Sequence, residues 1–171
     1  MSAFTIRPAE LRDVAPIVGL IRELAEFENL THLLQVTPEK LRPHLFGEKP
    51  VAEAMVVEVP AEEVGEGEST VVGFALYFTN FSTFLAQPGL YLEDLYVKPS
   101  QRGKGIGEAV LTRLAKLAAD RHYGRFEWTV LDWNEGAIRF YEKFGATVMP
   151  DWRVCRVAGE KLAAFATKPK E

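Results

Sequence analysis

The sequence predicts an α/β domain in which helices cover both faces of a mixed β-sheet. Strand-like and helix-like segments interleave without strict alternation, which is typical of sheets that combine parallel and antiparallel strands. The chain has 171 residues, 47% of them hydrophobic and 26% charged. A soluble domain of this size buries about 70% of its unfolded surface. Because no repeat or linker interrupts the pattern, we expect a single domain over residues 1–171.

The N-terminal elements follow from periodicity and from capping residues. Residues 4–7 predict a short strand that Pro8 closes. Asp13 is positioned to cap a helix that runs to about Phe27, with apolar residues along one face. A second helix is expected to begin at Pro38, since proline suits the first helical position.

The middle of the chain predicts a hairpin, a central strand and a further helix. Residues 53–59 and 71–79 have the pattern of paired strands. The acidic, glycine-containing run between them, residues 61–69, predicts a solvated loop without chemistry. Residues 90–97 predict the central strand, and residues 108–122 predict the helix that follows it.

The last third predicts shorter elements. Residues 125–131 predict a strand, and residues 134–144 predict an amphipathic helix that Gly145 ends. Three further elements are expected beyond it: strands at 146–149 and 153–157, and a helix at 159–166.

Composition excludes several classes of protein. The formal net charge of −4 at pH 7 argues against a general nucleic-acid binder, which would carry a basic face. No apolar run approaches the roughly 18 residues of a membrane span, and the N-terminus lacks a signal-peptide pattern. Cys155 is the only cysteine, so no intrachain disulfide forms, and we expect it to be a buried strand residue. We therefore expect a cytoplasmic protein with no nucleic-acid or membrane partner.

The most informative motif is the run Arg102-Gly103-Lys104-Gly105-Ile106-Gly107, between the central strand and the next helix. Glycines let backbone N–H groups approach a ligand closely, and a helix N-terminus favours phosphate. Arg102 and Lys104 add positive charge, so the run predicts a phosphate-binding loop. A P-loop is excluded because Gly107 is not followed by Lys-Ser or Lys-Thr, and a dinucleotide-binding motif because the third glycine comes too early.

Neither metal nor acyl-enzyme chemistry is predicted. The three histidines, His32, His44 and His122, lie in unrelated segments without the spacing of metal ligands. No serine nucleophile motif is present either, so any group transfer is expected to be direct.

Further segments accompany the glycine run: residues 91–97 before it, and residues 133–135 and 140–146 after it. This ordered set resembles the GNAT superfamily of acetyl-CoA-dependent N-acetyltransferases over nearly the whole chain. Four segments are similar to its diamine/polyamine (spermidine/spermine-type) and thialysine branch, namely residues 4–9, 21–25, 72–75 and 90–94. The resemblance implies a twisted, mostly antiparallel sheet, acetyl-CoA as co-substrate, and direct acetyl transfer to a primary amine.

The resemblance also implies the cofactor contacts. Backbone groups at the end of the central strand would pair with the pantetheine arm, and the glycine run would hold the pyrophosphate. Asn134 would contact the arm, and Tyr141 would lie near its sulfur. The residues assigned to the cofactor are Leu95, Tyr96, Val97, Arg102, Gly103, Lys104, Gly105, Ile106, Gly107, Asn134 and Tyr141.

Acetylation of an amine needs two proton transfers. An alkylammonium has a pKa of about 10.4, so a base must deprotonate it before attack. Glu93 is the predicted base, through a water relay or a raised pKa. Tyr141 is the predicted proton donor to the departing thiolate, whose thiol has a pKa of about 8.5. If the central strand is regular, Asp94 lies on the opposite face from Glu93.

The substrate contacts are also carried over from the resemblance. They are Phe27, Glu28, Ser82, Phe84, Glu93, Asp94, Trp128, Asp151 and Trp152. The chain departs from the polyamine branch in two places: residues 81–84 read Phe-Ser-Thr-Phe where that branch reads Tyr-Asp-Pro-Trp, and the acid before Trp152 is displaced by one residue. Fewer acids favour a short diamine or a lysine-like substrate over a long tetra-amine, because each desolvated ammonium needs a carboxylate.

Two other functions remain open. One is acetylation of protein lysines or N-termini, and the other is a GNAT-shaped sensor that binds acyl-CoA without catalysis. The presence of both Glu93 and Tyr141 favours an enzyme. The resembled branch forms homodimers, and Trp152 and Val154 are apolar candidates for such an interface.

Overall fold

The structure is a computed structural model that describes residues 4–167. The chain divides into two compact units, Met1–Thr129 and Val130–Glu171. The single domain over residues 1–171 stays a prediction. Within the described range, no helix is both long enough and apolar enough to cross a membrane.

The first unit is built on a five-stranded sheet in which the strands follow chain order. They are β1 (Thr5–Pro8), β2 (Glu53–Glu58), β3 (Val71–Ser82), β4 (Gln87–Val97) and β5 (Arg125–Trp128). Strands β1 to β4 are antiparallel to their neighbours, and β5 runs parallel to β4. This confirms the predicted mixed, mostly antiparallel sheet, although β5 ends three residues earlier than predicted.

Helices pack on both faces of this sheet, as predicted. They are α1 (Val14–Phe27), α2 (Pro38–Phe46) and α3 (Ile106–Asp120). Ile17 of α1, Leu41 of α2 and Val56 of β2 belong to one buried cluster. Met55, the neighbour of Val56, instead lines a cleft together with residues of α3. Because adjacent strand residues face opposite sides, α3 lies on the other face.

Asp13 occupies the N-cap position of α1, as predicted, but its carboxylate accepts no hydrogen bond from the helix. Its Oδ2 atom instead accepts from Arg7 Nη1 at 2.6 Å and from the backbone N–H of Glu10 at 2.7 Å. Asp13 therefore joins β1 to the start of α1. The predicted start of α2 is confirmed, and there Thr37 Oγ1 accepts from the N–H of Lys40 at 3.3 Å.

Strand β4 contains a β-bulge at Glu93. On β3, Tyr77 pairs with Leu92 and Leu76 pairs with Asp94, so Glu93 is the extra residue. A bulge interrupts the alternation of a strand by one position. Because β4 is not regular at this point, the condition under which Glu93 and Asp94 would lie on opposite faces is not met.

The bulge decides which residues of β4 face α1. Phe74 pairs with Tyr96, and both belong to the cluster that α1 covers. Leu76, two residues along β3, packs against the same cluster and pairs with Asp94. Asp94 therefore lies on the α1 face of the sheet.

The second unit contains α4 (Glu135–Lys143) and α5 (Glu160–Ala166), close to the two predicted helices. Gly145 follows α4 with a φ of +82°, the left-handed conformation in which glycine commonly ends a helix. The predicted ending of this helix is confirmed.

The predicted strand pair at residues 146–149 and 153–157 is wrong, because neither segment is in a strand. Strands need a hydrogen-bonded neighbour and a face to bury. Here Val148, Trp152 and Val154 are 42%, 72% and 70% exposed. Cys155 is exposed as well, so its predicted burial in a strand is also wrong.

Candidate active site

The glycine run forms the connection between β4 and α3. A short 3₁₀ turn covers Pro99–Gln101, and α3 begins at Ile106. Gly103 and Gly105 have φ angles of +77° and +80°, which side chains rarely adopt. A Cβ at either position would meet no atom within 4 Å. The glycines are therefore required by the backbone conformation, and the space beside the loop is open.

The start of α3 has the features of an anion site. Its first N–H groups have no acceptor within the helix, and Gly105 at the N-cap has no side chain to offer one. The positive end of the helix dipole lies at the same place. This geometry is the one expected of the predicted phosphate-binding loop.

Arg102 folds back onto the end of β4. Its Nε donates to the carbonyl oxygen of Val97 at 2.9 Å. Its guanidinium carbon lies 5.3 Å from the ring centroid of Phe27 and 5.4 Å from that of Tyr96. The Tyr96 hydroxyl donates to Glu23 Oε2 at 3.2 Å. These contacts connect the loop to α1 through residues assigned to the cofactor and the substrate.

Lys104 contacts an acid of the loop at residues 61–69, for which the sequence pattern predicts no chemistry. Its Nζ lies 2.8 Å from Glu63 Oε2 and 2.8 Å from Gln101 Oε1. The side chain of Gln101 also donates to the carbonyl oxygen of Glu63 at 3.1 Å. The only sequence signal for this contact was the acidity of residues 61–69, because Glu63 and Lys104 are 41 residues apart.

The end of β4 has an open edge. Strand β5 pairs with β4 only from Gly89 to Leu92, and pairing stops just before the bulge. The N–H of Lys98 donates to β3, so in an extended chain the backbone groups of Val97 and Leu95 point away from β3. Leu95 therefore presents its N–H and C=O groups, and Val97 its N–H group, to the edge that β5 leaves uncovered, while the C=O group of Val97 accepts from Arg102.

Three carboxylates lie near this edge, and two of them, those of Glu28 and Asp94, are on the side of α1. Glu28 follows the last residue of α1, Glu93 is the bulged residue, and Asp94 is its neighbour. Glu93 is exposed, whereas Glu28 and Asp94 are half-buried. The bulge and the end of α1 thus bring together three of the predicted substrate residues.

Asp94 has the most perturbed carboxyl in this cluster. Burial raises its pKa to about 6, with further contributions from the negative charges of Glu93 and Glu28. Burial also raises the pKa of Glu28. A desolvated carboxylate beside other acids is stabilised by a cation, so the cluster favours an ammonium group.

The hairpin between β3 and β4 holds two other predicted substrate residues, Ser82 and Phe84. Ser82 is buried, and its Oγ accepts from the N–H of Leu85 at 3.3 Å. Phe84 at the tip is 97% exposed. Ser82 is six positions beyond Leu76, the partner of Asp94, along β3, which is about 20 Å of strand. The structure therefore does not bring Ser82 and Phe84 to Asp94 of the same chain.

The two other aromatic residues of the first unit that are predicted to contact the substrate lie at the ends of a helix and a strand. Phe27 is the last residue of α1 and packs against the guanidinium of Arg102. Trp128 ends β5 and packs on Phe126, with ring centroids 4.8 Å apart.

The second unit holds the remaining predicted residues. Asn134 is the N-cap of α4, and its Oδ1 accepts from the N–H of Ala137 at 3.2 Å. Tyr141 lies in α4 with its ring 5.6 Å from that of Phe140. Asp151 and Trp152 are exposed beyond α4. Among residues 4–167, no group of three or more His, Cys, Asp or Glu side chains is arranged to hold a metal ion.

Known proteins resemble the chain over nearly its full length. The Acetyltransferase (GNAT) family matches residues 22–146. A thialysine N-epsilon-acetyltransferase of Sus scrofa is 38% identical over 98% of this chain and 100% of its own. An L-ornithine N5-acetyltransferase of Arabidopsis thaliana is 35% identical over 94% of this chain and 86% of its own. Among solved structures, an integron cassette protein of V. cholerae matches with a TM-score of 0.77 and 25% identity, over 97% of this chain and 99% of that one.

Proposed function

Because the chain belongs to the acetyltransferase (GNAT) family, we propose that it transfers an acetyl group directly from acetyl-CoA to a primary amine of a small lysine-like or diamine substrate. The main support for this proposal is an arrangement of residues in the first unit. The open edge of β4 begins at the carboxylates Glu93 and Asp94 and ends, a few residues later, at the glycine loop before α3. An amine site and an anion site thus lie at the two ends of one exposed strand edge.

The residues along this edge fit acetyl-CoA, which supplies an acyl group already activated as a thioester. The outward N–H and C=O groups of Leu95 and the outward N–H group of Val97 match the amides of its pantetheine arm, as in strand addition. The backbone N–H groups of residues 103–107 are assigned to its pyrophosphate, because the loop is open and helix α3 begins there. Asn134 and Tyr141 complete the assigned set.

We assign the removal of the amine proton to Glu93. The ammonium has a pKa of about 10.4, so almost none of it is neutral at pH 7. Glu93 is exposed in the bulge, where a water molecule can carry the proton to its carboxylate.

Asp94 and Glu28 are assigned to holding the cationic substrate. Their carboxyl groups are half-buried and their pKa values are raised, so a substrate cation relieves an unfavourable concentration of negative charge. Thialysine and ornithine, the substrates in the names of the similar enzymes, each carry such a side-chain amine. This agreement supports a lysine-like substrate.

Tyr141 is assigned as the proton donor to the departing sulfur. A phenol has a pKa of about 10, so its proton is present at neutral pH, and a departing thiolate gains from it. With Glu93 removing one proton and Tyr141 delivering another, the enzyme returns to its starting state without an acyl-enzyme.

We also propose a cytoplasmic homodimer. Trp152, Val154 and Phe165 are 72%, 70% and 63% exposed, and a second copy can cover such exposed apolar side chains. The exposed free thiol of Cys155 fits a reducing compartment.

Identification of the acetylated product tests the function. Purified protein is incubated with acetyl-CoA and with thialysine, ornithine, a short diamine or a lysine-containing peptide, and thiol release is followed together with the mass of each amine. We expect one acetyl group on the small amines, and a much lower rate in Glu93→Gln at unchanged acetyl-CoA affinity. Acetylation of the peptide alone would favour a protein acetyltransferase, and acetyl-CoA binding without any product would favour a sensor.

A further inference from the structure

A cavity lies in the first unit, away from the glycine loop and the carboxylate cluster. Its volume is about 370 Å³, and it opens between α2, β2, β3 and the C-terminal half of α3. Lys116, which lines it, is ten residues beyond the start of α3, or about 15 Å along the helix axis. The cavity is therefore separate from the assigned cofactor site.

The inner wall of this cavity is apolar. Leu45, Met55 and Tyr77 line it and are 8%, 5% and 3% exposed, and Phe46 lies at its rim with 37% exposure. At about 30 Å³ for a water-sized group, the cavity has room for roughly twelve non-hydrogen atoms. It is thus large enough for a short hydrocarbon chain or a single substituted aromatic ring.

One of the cationic side chains that line the cavity has no acidic partner among the described residues. Arg121 forms two hydrogen bonds to Glu53, at 2.6 and 2.7 Å, and Lys116 pairs with Asp120 at 3.1 Å. Arg113 also lines the cavity, and no ion pair or hydrogen bond joins it to another residue between 4 and 167. The cavity wall therefore carries one uncompensated positive charge.

The side chain of Tyr77 also lines this cavity. Tyr77 is 3% exposed, yet its hydroxyl makes no hydrogen bond to any residue in the described range. The hydroxyl oxygen is not among the completely buried polar atoms that lack a partner, so it is accessible from the cavity and can donate to a ligand. Burial and the negative charge of Glu53 raise the pKa of Tyr77 to about 12, and the charges of Arg121 and Arg113 oppose this increase, so the hydroxyl stays protonated and can donate.

We infer that this cavity is a second ligand site, which binds a small amphipathic carboxylate. The carboxylate would accept from the Tyr77 hydroxyl and pair with Arg113, and the hydrocarbon part would lie against Leu45 and Met55. The cavity can bind one anionic group, which pairs with Arg113, and one apolar group beside it, because its other charges are already paired.

Titration of the full-length protein with octanoate, at saturating acetyl-CoA, tests this inference. We expect saturable binding of one octanoate per chain. Hydrogen bonds to charged groups are strong, so Arg113→Gln should weaken binding at least about tenfold. Tyr77→Phe should weaken it several-fold. Arg139→Gln is the matched control, because Arg139 is an exposed arginine of α4 paired with Glu135, and it should bind octanoate like the wild type.

Three results would overturn the inference. They are no saturable binding below about 10 mM, equal affinity for uncharged octanamide, and unchanged affinity in folded Arg113→Gln and Tyr77→Phe variants. Displacement of octanoate by acetyl-CoA would place the ligand in the cofactor site and would also contradict it. Because the readout is binding, the result does not depend on the amine substrate.

Discussion

Lys104 Nζ lies 2.8 Å from Glu63 Oε2, so the acidic loop between β2 and β3 neutralises one of the two cations of the glycine loop. A second contact, from Gln101 to the Glu63 carbonyl oxygen, fixes the position of this acid. A phosphate at the glycine loop would compete with the Glu63 carboxylate for the same ammonium group.

Glu63→Gln should therefore tighten acetyl-CoA binding. The Lys104–Glu63 pair is partly exposed, and such pairs contribute about 0.2–1 kcal/mol, so we expect a dissociation constant about 1.5- to 5-fold lower. Calorimetric titration at low and high salt checks this, and the difference should shrink at about 1 M salt because the charges are screened. Glu62→Gln is the control, and an equal effect there would show that only net charge matters.

Gly105→Asp should abolish measurable acetyl-CoA binding while the domain stays folded. It would introduce a carboxylate into the open space beside the N-terminus of α3, where a phosphate is expected. Gly105→Asn is the matched control, since Asn and Asp both tolerate a positive φ and differ mainly in charge. The Gly105→Asn variant should bind acetyl-CoA with a reduced but measurable affinity. Calorimetry gives the affinities and circular dichroism the fold; wild-type affinity in folded Gly105→Asp would exclude phosphate binding at this loop.

Asp94 should set the acidic limb of the pH profile of kcat/KM, which reports the free enzyme. Its pKa is raised to about 6, so the carboxylate that holds the ammonium is lost as pH falls through 6. Asp94→Asn should remove this limb and lower the plateau. Glu28→Gln should move the limb to lower pH, because the Glu28 charge contributes to the increase. A limb near pH 6 that persists in Asp94→Asn would assign it to another group.

The carboxyl of Asp94 should also make the stability of the protein depend on pH. It should lower the free energy of unfolding as pH rises, whereas a salt-bridged acid raises it. Because the folded state raises the pKa of Asp94 from 3.8 to about 6, the folded protein binds more protons than the unfolded chain between these values. Its free energy of unfolding should therefore fall as pH rises from about 4 to 6, by at most about 3 kcal/mol from this group. In Asp94→Asn, urea titrations over the same pH range should show a smaller fall.

Tyr141→Phe should lower kcat by about 10²–10⁴-fold, as expected for loss of a general acid, and should leave acetyl-CoA affinity unchanged. Single-turnover kinetics together with calorimetry separate the two effects. Tyr123→Phe is the control, because the Tyr123 hydroxyl bonds Thr79 at 2.7 Å and is assigned no catalytic role. A wild-type kcat in Tyr141→Phe would make Tyr141 a packing residue of α4.

The sequence predicted the parts of the site that depend on local chemistry. The alternation of glycine with basic residues before an amphipathic segment predicted the turn at residues 102–107, and its two positive φ angles are where glycines stand. The helix ending at Gly145 was predicted for the same reason. Such features need only a few neighbouring residues, so they can be inferred without knowledge of pairing.

The features that the sequence missed depend on distant residues. The bulge at Glu93 arises from the register between β3 and β4, which no pattern within β4 reveals. The contact between Glu63 and Lys104 joins a loop to a helix start 41 residues later. The alternating side chains of residues 146–157 resembled strands, but their apolar residues are exposed, and alternation alone does not provide a partner.

The central claim is that the carboxylates at the bulge of β4 select a small lysine-like or diamine substrate. Steady-state kcat/KM, measured by thiol release from acetyl-CoA with thialysine, ornithine, a short diamine and spermine, tests it most directly. Because three carboxylates of the first unit, those of Glu28, Glu93 and Asp94, lie close together near the open edge, kcat/KM should be higher for at least one of the three short amines than for spermine. A clear preference for spermine, or no activity on any small primary amine, would contradict this account.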